Sequence, residues 1–437
     1  MIHADDIKEQ AITQLLISAL GDIELLYRDS PRKYNVTRII KAIYASPGIT
    51  RKGLVTLFRI RPGTVTEIVA ELITDKLVFE VRQEHTPDRG RPEITLHINK
   101  FKWLNIVICC ISREMQGFLV NLQDEIICQA KVDVPFLADN SDFEEHIAQL
   151  VRILESENSC PVDSTILGIS FSVPGIVDSI HKAWVFSSRW PNMRNLVLGD
   201  LQQKTGFKIS IRRQLDVQLN YHMLSRPELR LGNTLLFHWG YGIGGAFASN
   251  GEIIGSQTGI FCQIGHIAIN PDSTKPCICG KLGCLESEAA YWALQPEIAR
   301  VYGDIVDINE NQAADFLKQH SIYDQLFFKK AQKHIAHALS YLQAILVPDH
   351  VLLYGLFLED SPVQELLVKK IKQLSPPFVA ESMKAEFIKI SNSWNTSAIA
   401  FFDFKNAFET YIGASNRDGT PSTLPSPVSS VSGGQFP

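Results

Sequence analysis

A histidine and three cysteines between residues 266 and 284 form the group with the clearest chemistry. Cys277, Cys279 and Cys284 follow a C-x-C-x4-C spacing, and His266 precedes them in the chain. Glycines within the array allow the tight turns that direct three thiolates to one centre. Three thiolates and one imidazole fill a tetrahedral shell, so the pattern predicts a structural Zn²⁺ rather than a catalytic one. The alternative is free thiols with His266 bonded to a neighbouring group, which this spacing disfavours.

Further cysteines occur outside this array. Small free thiols are common in protein cores. The four that lie in or beside apolar segments are expected to be buried free thiols: Cys109, Cys110, Cys128 and Cys160.

The segment around the predicted ligands resembles the signature of the ROK family, which contains repressors and sugar kinases. The family pattern G-x-x-G-E-x-G-H is similar to GIFCQIGH at 259–266, and C-x-C-G-x-x-G-C-x-E is similar to CICGKLGCLE at 277–286. The second half agrees at every specified position, whereas Gln263 replaces the family's glutamate in the first. The resemblance implies an α/β body with the two-lobed, actin-like ATPase fold of hexokinases and ROK proteins.

The residue pattern after Lys100 is typical of such a body, because segments with strand character alternate with helical ones. Apolar segments at 103–111, 116–122 and 125–132 predict a three-stranded meander. A helix is predicted over 143–155 and a buried strand over 165–173.

The resemblance also implies a sugar pocket. Its lining would include Asp216, Gln263, His266 and Glu286, with Asn192 nearby. In ROK kinases the sequence that matches residues 215–217 is N-D-A, whose aspartate is the general base toward the sugar hydroxyl. Asp216 is therefore a vestigial base candidate, although an aspartate at a strand end also fits a cap. Leu215 lacks the amide that binds sugar, so weak or altered sugar binding is expected.

The nucleotide-binding motifs of the kinases are degenerate here. Residues 107–113 contain neither the aspartate nor the glycines of the D-x-G-G-T phosphate loop that the resemblance places there. The glycine-rich stretch 240–246 is similar to a second phosphate loop, but it also fits an ordinary tight turn. Leu356 and Phe357 stand where kinases have glycines that admit adenosine. These departures predict a protein that is not an enzyme.

The N-terminal part of the chain is basic although the whole carries a net charge of −5. Residues 28–91 contain thirteen Lys or Arg and seven Asp or Glu, a net of +6, so the remainder carries −11. A basic module beside an acidic body is typical of a protein in which a domain that binds nucleic-acid phosphates is joined to a domain that does not. The composition alone also fits a solvated basic face.

The pattern over residues 35–99 favours the first interpretation. Apolar residues at helical spacing predict a helix from Asn35 to Pro47, a second capped by Thr50 and a third starting at Pro62. Apolar segments at 77–81 and 94–98 predict a hairpin. Three helices followed by a hairpin indicate a winged helix-turn-helix, and the order of these residues is similar to the N-terminal domain of ROK repressors. A three-helix interaction module is the alternative.

The third helix and the hairpin tip supply the predicted DNA contacts. The tip sequence R-G-R-P at 89–92 resembles elements that enter narrow A·T-rich minor grooves. The residues expected to face DNA are Arg59, Arg61, Thr64, Thr66, Glu67, Arg89 and Arg91.

The predicted organisation has four parts. They are a helical extension over 1–34, the winged helix-turn-helix over 35–99, the ROK effector and oligomerisation domain over 100–413, and a disordered tail over 414–437. The extension fits either a swapped arm or ordinary packing. The chain has no signal-peptide pattern and no apolar run of the roughly 18 residues that a spanning helix needs, so a cytoplasmic protein without membrane insertion is expected.

The sequence therefore predicts a regulator of sugar-metabolism genes, a repressor that binds operator DNA as a homodimer or homotetramer. Its controlling partner would be a sugar, a sugar phosphate or a sugar-transport protein, with Zn²⁺ as a structural cofactor. An ATP-dependent sugar kinase with an appended helical domain is the main alternative. An interaction protein that does not bind DNA is a third.

Overall fold

The computed structural model describes residues 4–82, 93–303, 310–320, 322–359, 361–381, 384–388 and 395–415. In these ranges the helices are α1 (Ala4–Leu26), α2 (Pro31–Ala45), α3 (Arg51–Phe58), α4 (Pro62–Thr74), α5 (Asn140–Ser156), α6 (Gly199–Thr205), α7 (Gln214–Ser225), α8 (Leu285–Ala289), α9 (Tyr291–Tyr302), α10 (Glu310–Gln319), α11 (Leu326–Leu346), α12 (Ser361–Leu374), α13 (Pro377–Ala380) and α14 (Asn395–Ala414). The strands are β1 (Ile49–Thr50), β2 (Val78–Arg82), β3 (Ile94–Ile98), β4 (Trp103–Ile111), β5 (Glu114–Asn121), β6 (Ile126–Asp133), β7 (Thr165–Val173), β8 (Ile176–Asp178), β9 (Ala183–Phe186), β10 (Arg194–Val197), β11 (Ile209–Arg213), β12 (Asn233–Trp239), β13 (Ile243–Ser249), β14 (Glu252–Ile253), β15 (His350–Tyr354) and β16 (Lys384–Phe387).

The N-terminal region contains the predicted helices and both predicted strands. The side chain of Thr50 accepts a hydrogen bond from the backbone N–H of Gly53 and so caps α3, as expected. Helix α4 starts at Pro62 and buries the four apolar residues that its period indicates, Val65, Ile68, Val69 and Leu72. The two-residue strand β1 adds a third strand to the hairpin, in the order β1-β3-β2.

The predicted start of α2 at Asn35 is wrong. The helix begins at Pro31, after Ser30 at the N-cap position. Proline suits the first helical turn, because its φ is already helical and its missing N–H would have no partner there. Asn35 consequently lies inside α2, and a boundary between residues 34 and 35 falls within that helix.

Two five-stranded sheets form the body, and they share one topology. Their orders are β11-β7-β4-β5-β6 and, in the same sense, β16-β15-β12-β13-β14. In each, a central strand pairs antiparallel with the next strand of the chain and parallel with a strand that arrives by a crossover. This repeat gives the mixed α/β, two-lobed body that the sequence predicts.

Helices α1 and α14 join the N-terminal region to the first lobe. Helix α14 packs on β4 and β7, where Trp103 and Phe408 meet edge to face with ring centroids 5.0 Å apart. Helix α1 packs on α2, α7 and α14 of the same chain, and Leu15, Leu16 and Leu20 are fully buried there. The extension thus takes part in a core shared by the N-terminal helices and the body.

Some expectations fall outside the described residues. Arg89 and Arg91 at the hairpin tip lie outside them, as do residues 416–437 of the predicted tail. The predicted start of that tail, Ala414, is the last residue of α14. Within the described ranges, the structure contains no helix that is both long enough and apolar enough to cross a membrane.

Candidate functional site

The four predicted metal ligands converge on one point. One potential ligand atom from each of His266, Cys277, Cys279 and Cys284 lies within 4.8 Å of the others. The sulfurs of Cys279 and Cys284 are 3.7 Å apart, and Cys277 Sγ is 3.5 Å from His266 Nδ1. Tetrahedral zinc with Zn–S bonds of about 2.3 Å and a Zn–N bond of about 2.0 Å separates its ligands by about 3.8 and 3.5 Å. The donor set and its spacing therefore fit Zn²⁺.

Backbone geometry holds this cluster in shape. Isolated β-bridges pair Ala268 with Cys284 and Pro276 with Leu282, so that the two ends of the ligand loop are fixed. Gly283 has φ +67°, and a Cβ at this position would lie 2.0 Å from the carbonyl oxygen of Asn270. Only glycine fits this close approach without a backbone shift.

Burial of the cluster is uneven. Cys284 is fully buried and Cys277 nearly so, whereas Cys279 is exposed. Burial raises the pKa of the Cys277 and Cys284 thiols and lowers the pKa of His266. A bound divalent cation would favour the thiolate over the neutral thiol, because its positive charge stabilises the deprotonated sulfur directly.

Glu286 connects the cluster to a neighbouring cavity. Its Oε2 lies 3.7 Å from Nε2 of His266, the ring nitrogen that faces away from Cys277. Trp292 donates a hydrogen bond of 3.1 Å to Oε1. Burial raises the pKa of Glu286 to about 7, and hydrogen bonds from Trp292 and Ser188 oppose this rise. A carboxylate behind a metal-bound imidazole is the usual arrangement that orients such a ligand.

The cavity lies between the two lobes and has a volume of about 150 Å³. Among its walls are the turn before β8, the start of α7, the β12–β13 turn and the loop that contains His266. Of the predicted ligand-binding residues, Gln263, His266 and Glu286 line it.

Asp216 and Asn192 lie elsewhere. Asp216 is buried and pairs with Arg213, which lines the cavity. Asn192 is exposed, donates its side-chain amide to the carbonyl of Leu137 at 2.9 Å, and is absent from the cavity wall. The structure therefore does not bring Asn192 to the other predicted ligand-binding residues, because a loop contact holds its side chain outside.

An ion pair occupies the end of β11. Arg213 Nη2 lies 2.5 Å from Asp216 Oδ1, and Arg213 Nη1 donates to the carbonyl of Phe261 at 3.0 Å. Arg213 Nε and Asp216 Oδ2 are buried without a hydrogen-bond partner. Burial raises the pKa of Asp216, and Arg213 opposes that rise. Arg213 was not predicted from the sequence, where its only signal is its place three residues before Asp216.

Two other side chains shape the cavity. A Cβ on Gly244 would lie 2.7 Å from Cδ1 of Leu215, so the leucine packs closely against the glycine-rich turn. Cys262, which was also not predicted from the sequence, lines the cavity and has φ +62°. Burial raises the pKa of its thiol to about 12.

The segment at 355–358 is filled by apolar side chains. Leu356 and Phe357 are 1% and 0% exposed. The ring of Phe357 lies 5.0 Å from that of Trp239 and 5.5 Å from that of Phe328. Cys109 and Cys110 are likewise buried, as predicted, whereas Cys128 and Cys160 are only half-buried.

The described residues predicted to face DNA lie around the start of α4. Arg59, Arg61, Thr66 and Glu67 are exposed, and Thr64 is half-buried. Arg59 ends α3 in the left-handed region, with φ +54°. The hydroxyl of Thr66 donates to the carbonyl of Pro62 at 2.9 Å, and Glu67 pairs with Arg32 at 2.9 Å.

Comparison with known proteins assigns the family. The profile described as "ROK family" matches residues 113–399, more than half of the chain. This chain belongs to the ROK family. It is 28% identical over 194 residues to a glucokinase of Halalkalibacterium halodurans, which covers 44% of this chain and 56% of the relative. It is 20% identical over 263 residues to the DNA-binding transcriptional repressor Mlc of Escherichia coli, which covers 60% of this chain and 64% of the relative.

A solved ROK structure extends the fold comparison beyond the profile. The crystal structure of a ROK family transcriptional regulator, a homologue of the E. coli Mlc protein, superposes with a TM-score of 0.65 at 19% identity. The match covers 86% of this chain and 97% of that one. The predicted mixed α/β, actin-like ROK body is confirmed. The chain spans less than two thirds of the length of the two curated relatives named above.

Proposed function

We propose that this chain is a ROK family transcriptional regulator, a repressor of sugar-metabolism genes. Residues 31–99, which include the whole of α2, form a winged helix-turn-helix that binds operator DNA, and residues 100–413 form the effector and oligomerisation domain. Similarity to Mlc, which is named as a DNA-binding transcriptional repressor, supports this interpretation. The N-terminal helix α1 stabilises the junction of the two parts, and the protein acts as a homodimer or homotetramer.

The observation that carries the proposal is the exposed start of α4 on an otherwise acidic protein. Its apolar face is buried, while Arg59, Arg61 and Thr66 are exposed at its N-terminal end. Within the described residues neither arginine forms an ion pair, so both guanidinium groups are available to phosphates. In helix-turn-helix proteins the second helix of the motif reads the major groove with its N-terminal residues. Thr64, Glu67 and the tip residues Arg89 and Arg91 complete the proposed contacts.

Zn²⁺ is the proposed cofactor, held by His266, Cys277, Cys279 and Cys284. Four protein ligands leave no position for a substrate, so the ion has a structural role. It fixes the loop that contributes Gln263 and His266 to the cavity wall. The ion would also help to position Glu286, which lines the cavity and lies 3.7 Å from His266.

The cavity is the proposed effector site, with Gln263, His266 and Glu286 as its polar contacts. A sugar or a sugar phosphate is the proposed effector, and a sugar-transport protein is the alternative partner. Binding of a neutral hexose is expected to be weak, because Leu215 offers no hydrogen bond and Asp216 is already paired with Arg213.

Catalysis is not part of the proposal, although a glucokinase is among the relatives. The candidate base Asp216 shares a buried ion pair, and Leu356 and Phe357 are embedded in the core of the second lobe. A kinase requires both a nucleotide site and a base within reach of the hydroxyl. A sugar kinase with a helical appendage is the function that the following experiment would establish instead.

The test is selection from a random duplex DNA library with the full chain loaded with zinc, together with assays of ATP and common hexoses for turnover. We expect an inverted repeat with an A·T-rich flank and no turnover. The R59Q/R61Q variant should bind that sequence more weakly, with a salt slope smaller by about 0.9 for each phosphate that it no longer neutralises. R300Q is the matched control, because Arg300 pairs with Glu297 on the distant helix α9. Phosphorylation without a selected sequence would overturn the proposal.

A further inference from the structure

The proposed recognition helix has an unusual charge pattern. Helix α4, PGTVTEIVAELIT, contains no lysine or arginine, and its charged residues are Glu67 and Glu71. They are one turn apart, and their side chains are 62% and 44% exposed. Two like charges at this spacing repel each other. Both also repel the DNA backbone, whose phosphates dominate protein affinity.

A residue from another helix compensates these charges. Arg32, in the first turn of α2, places Nη1 2.9 Å from Glu67, and its Nη2 donates to Glu71. One guanidinium therefore bridges both carboxylates of α4. The hydrogen bond with Glu67 contributes most to the rise in the pKa of Arg32.

The third nitrogen of the same guanidinium is also engaged. Arg32 Nε donates to the backbone carbonyl of Ser415 at 2.9 Å, directly after α14. With all three nitrogens bonded to different groups, the planar guanidinium has one orientation. The rotamers of Glu67 and Glu71 are fixed with it, and α4 is tied to the helix that packs on the body.

We propose that Arg32 is a positioning residue of the DNA interface, which offsets one of the two negative charges of Glu67 and Glu71 and orients both carboxylates so that α4 can approach the phosphates. This inference rests on the proposed winged helix-turn-helix. It adds a residue that the sequence pattern of α4 does not contain. Lysine would not replace it fully, because an ammonium group lacks the planar fork that reaches three acceptors.

The competing explanation is an ordinary surface ion pair that only supports folding. Exposed pairs contribute little to stability, so R32Q should retain its fold and a thermal midpoint close to that of the wild type. DNA affinity separates the two explanations, because the repulsion acts only when phosphates approach.

The experiment measures binding of the full chain to its selected operator by fluorescence anisotropy across a range of salt concentrations. R32Q should raise Kd roughly tenfold at low salt, and this defect should shrink as salt screens the two carboxylates. R300Q removes a comparable exposed arginine from the second lobe and should leave Kd unchanged. R32Q/E71Q removes one of the two exposed carboxylates but keeps the proposed DNA contact Glu67, and it should recover part of the affinity that R32Q loses.

The outcomes also separate this inference from the proposed function. If the wild type selects no DNA sequence, the proposed function fails. If the wild type binds its operator and R32Q binds equally well, the role of Arg32 fails alone. A salt-independent loss that R32Q/E71Q does not rescue, or a large fall in thermal midpoint, would assign Arg32 a purely structural role and overturn the inference.

Discussion

The guanidinium of Arg213 lies 2.5 Å from the carboxylate of Asp216, and each side chain is 5% exposed. Removal of two charges from water costs free energy that their mutual attraction and further hydrogen bonds must offset. Here one hydrogen bond to Phe261 helps, while one donor of Arg213 and one acceptor of Asp216 stay without a partner. The pair holds the candidate base Asp216 behind the cavity wall, on the side chain of the wall residue Arg213.

Replacement of Arg213 alone should destabilise the protein. R213M leaves Asp216 buried without its partner, and breaking such a pair typically costs about 3–5 kcal/mol. R213M/D216L removes both charges and should recover much of this loss. Urea unfolding measures both free energies, and R300Q provides a matched exposed arginine. If R213M were as stable as the wild type, the pair would be accessible to water in solution and the expected penalty would not apply.

The pH dependence of stability should report Asp216. Because burial raises its folded pKa above the unfolded value, the native state binds this proton more tightly than the unfolded state does. The free energy of unfolding therefore falls as pH rises from the ordinary aspartate range through the folded pKa. The neighbouring Cys262 thiol stays neutral across this range, because burial raises its pKa to about 12. D216N should lack this slope, whereas parallel curves for the two proteins would contradict the assignment.

Metal removal should destabilise the second lobe. We expect one zinc per chain by elemental analysis, because the four convergent side chains would complete one tetrahedral shell. C284S removes a fully buried ligand and should lower both the zinc content and the thermal midpoint. C160S replaces a half-buried cysteine outside the cluster and serves as the control. Full zinc content in C284S would show that the cluster is not the binding site.

The filled segment at 355–358 leads to a fourth prediction. F357A should cost about 3–5 kcal/mol, the usual range for truncation of a buried phenylalanine, because its ring packs on Trp239 and Phe328. The cavity so created would be apolar and should not confer ATP turnover. Denaturant unfolding and a coupled kinase assay measure the two effects. A variant that is stable and phosphorylates hexose would show that Phe357 alone had blocked a working site.

Local patterns predicted well what depends on local geometry. Helix α4 follows from a proline at its first turn and an apolar stripe, and the metal cluster follows from ligands close together in the chain. The start of α2 was misassigned because Asn35 and Pro31 both suit a helix start, and the choice between them is decided by the turn before the helix. Strand β1 has only two residues, too few for an alternating period.

Long-range contacts account for what could not be predicted from the sequence. Arg32 meets Glu67 across 35 positions and Ser415 across 383, so no spacing indicates either contact. Cys262 faces the cavity because its backbone adopts φ +62°, a conformation that few cysteines take. Asn192 was expected near the cavity, yet its amide bonds to Leu137 in a different loop. A family resemblance indicates which positions of the chain correspond to a site. It does not indicate which contacts the side chains at those positions form in this protein.

Helix α14 provides the last prediction, because it contacts both the body and the C-cap residue of α4. Its Tyr411 donates to the carboxylate of Asp75 at 2.7 Å, and Asp75 is the C-cap residue of α4. Y411F removes this bond but keeps the ring contact with Trp103, and it should cost about 1 kcal/mol. Amide hydrogen exchange should accelerate in the last turn of α4 and stay unchanged in the distant helix α12, because only the C-terminal end of α4 loses a hydrogen bond. Equal protection of α4 in both proteins would show that Arg32 and the apolar core hold the helix without Tyr411.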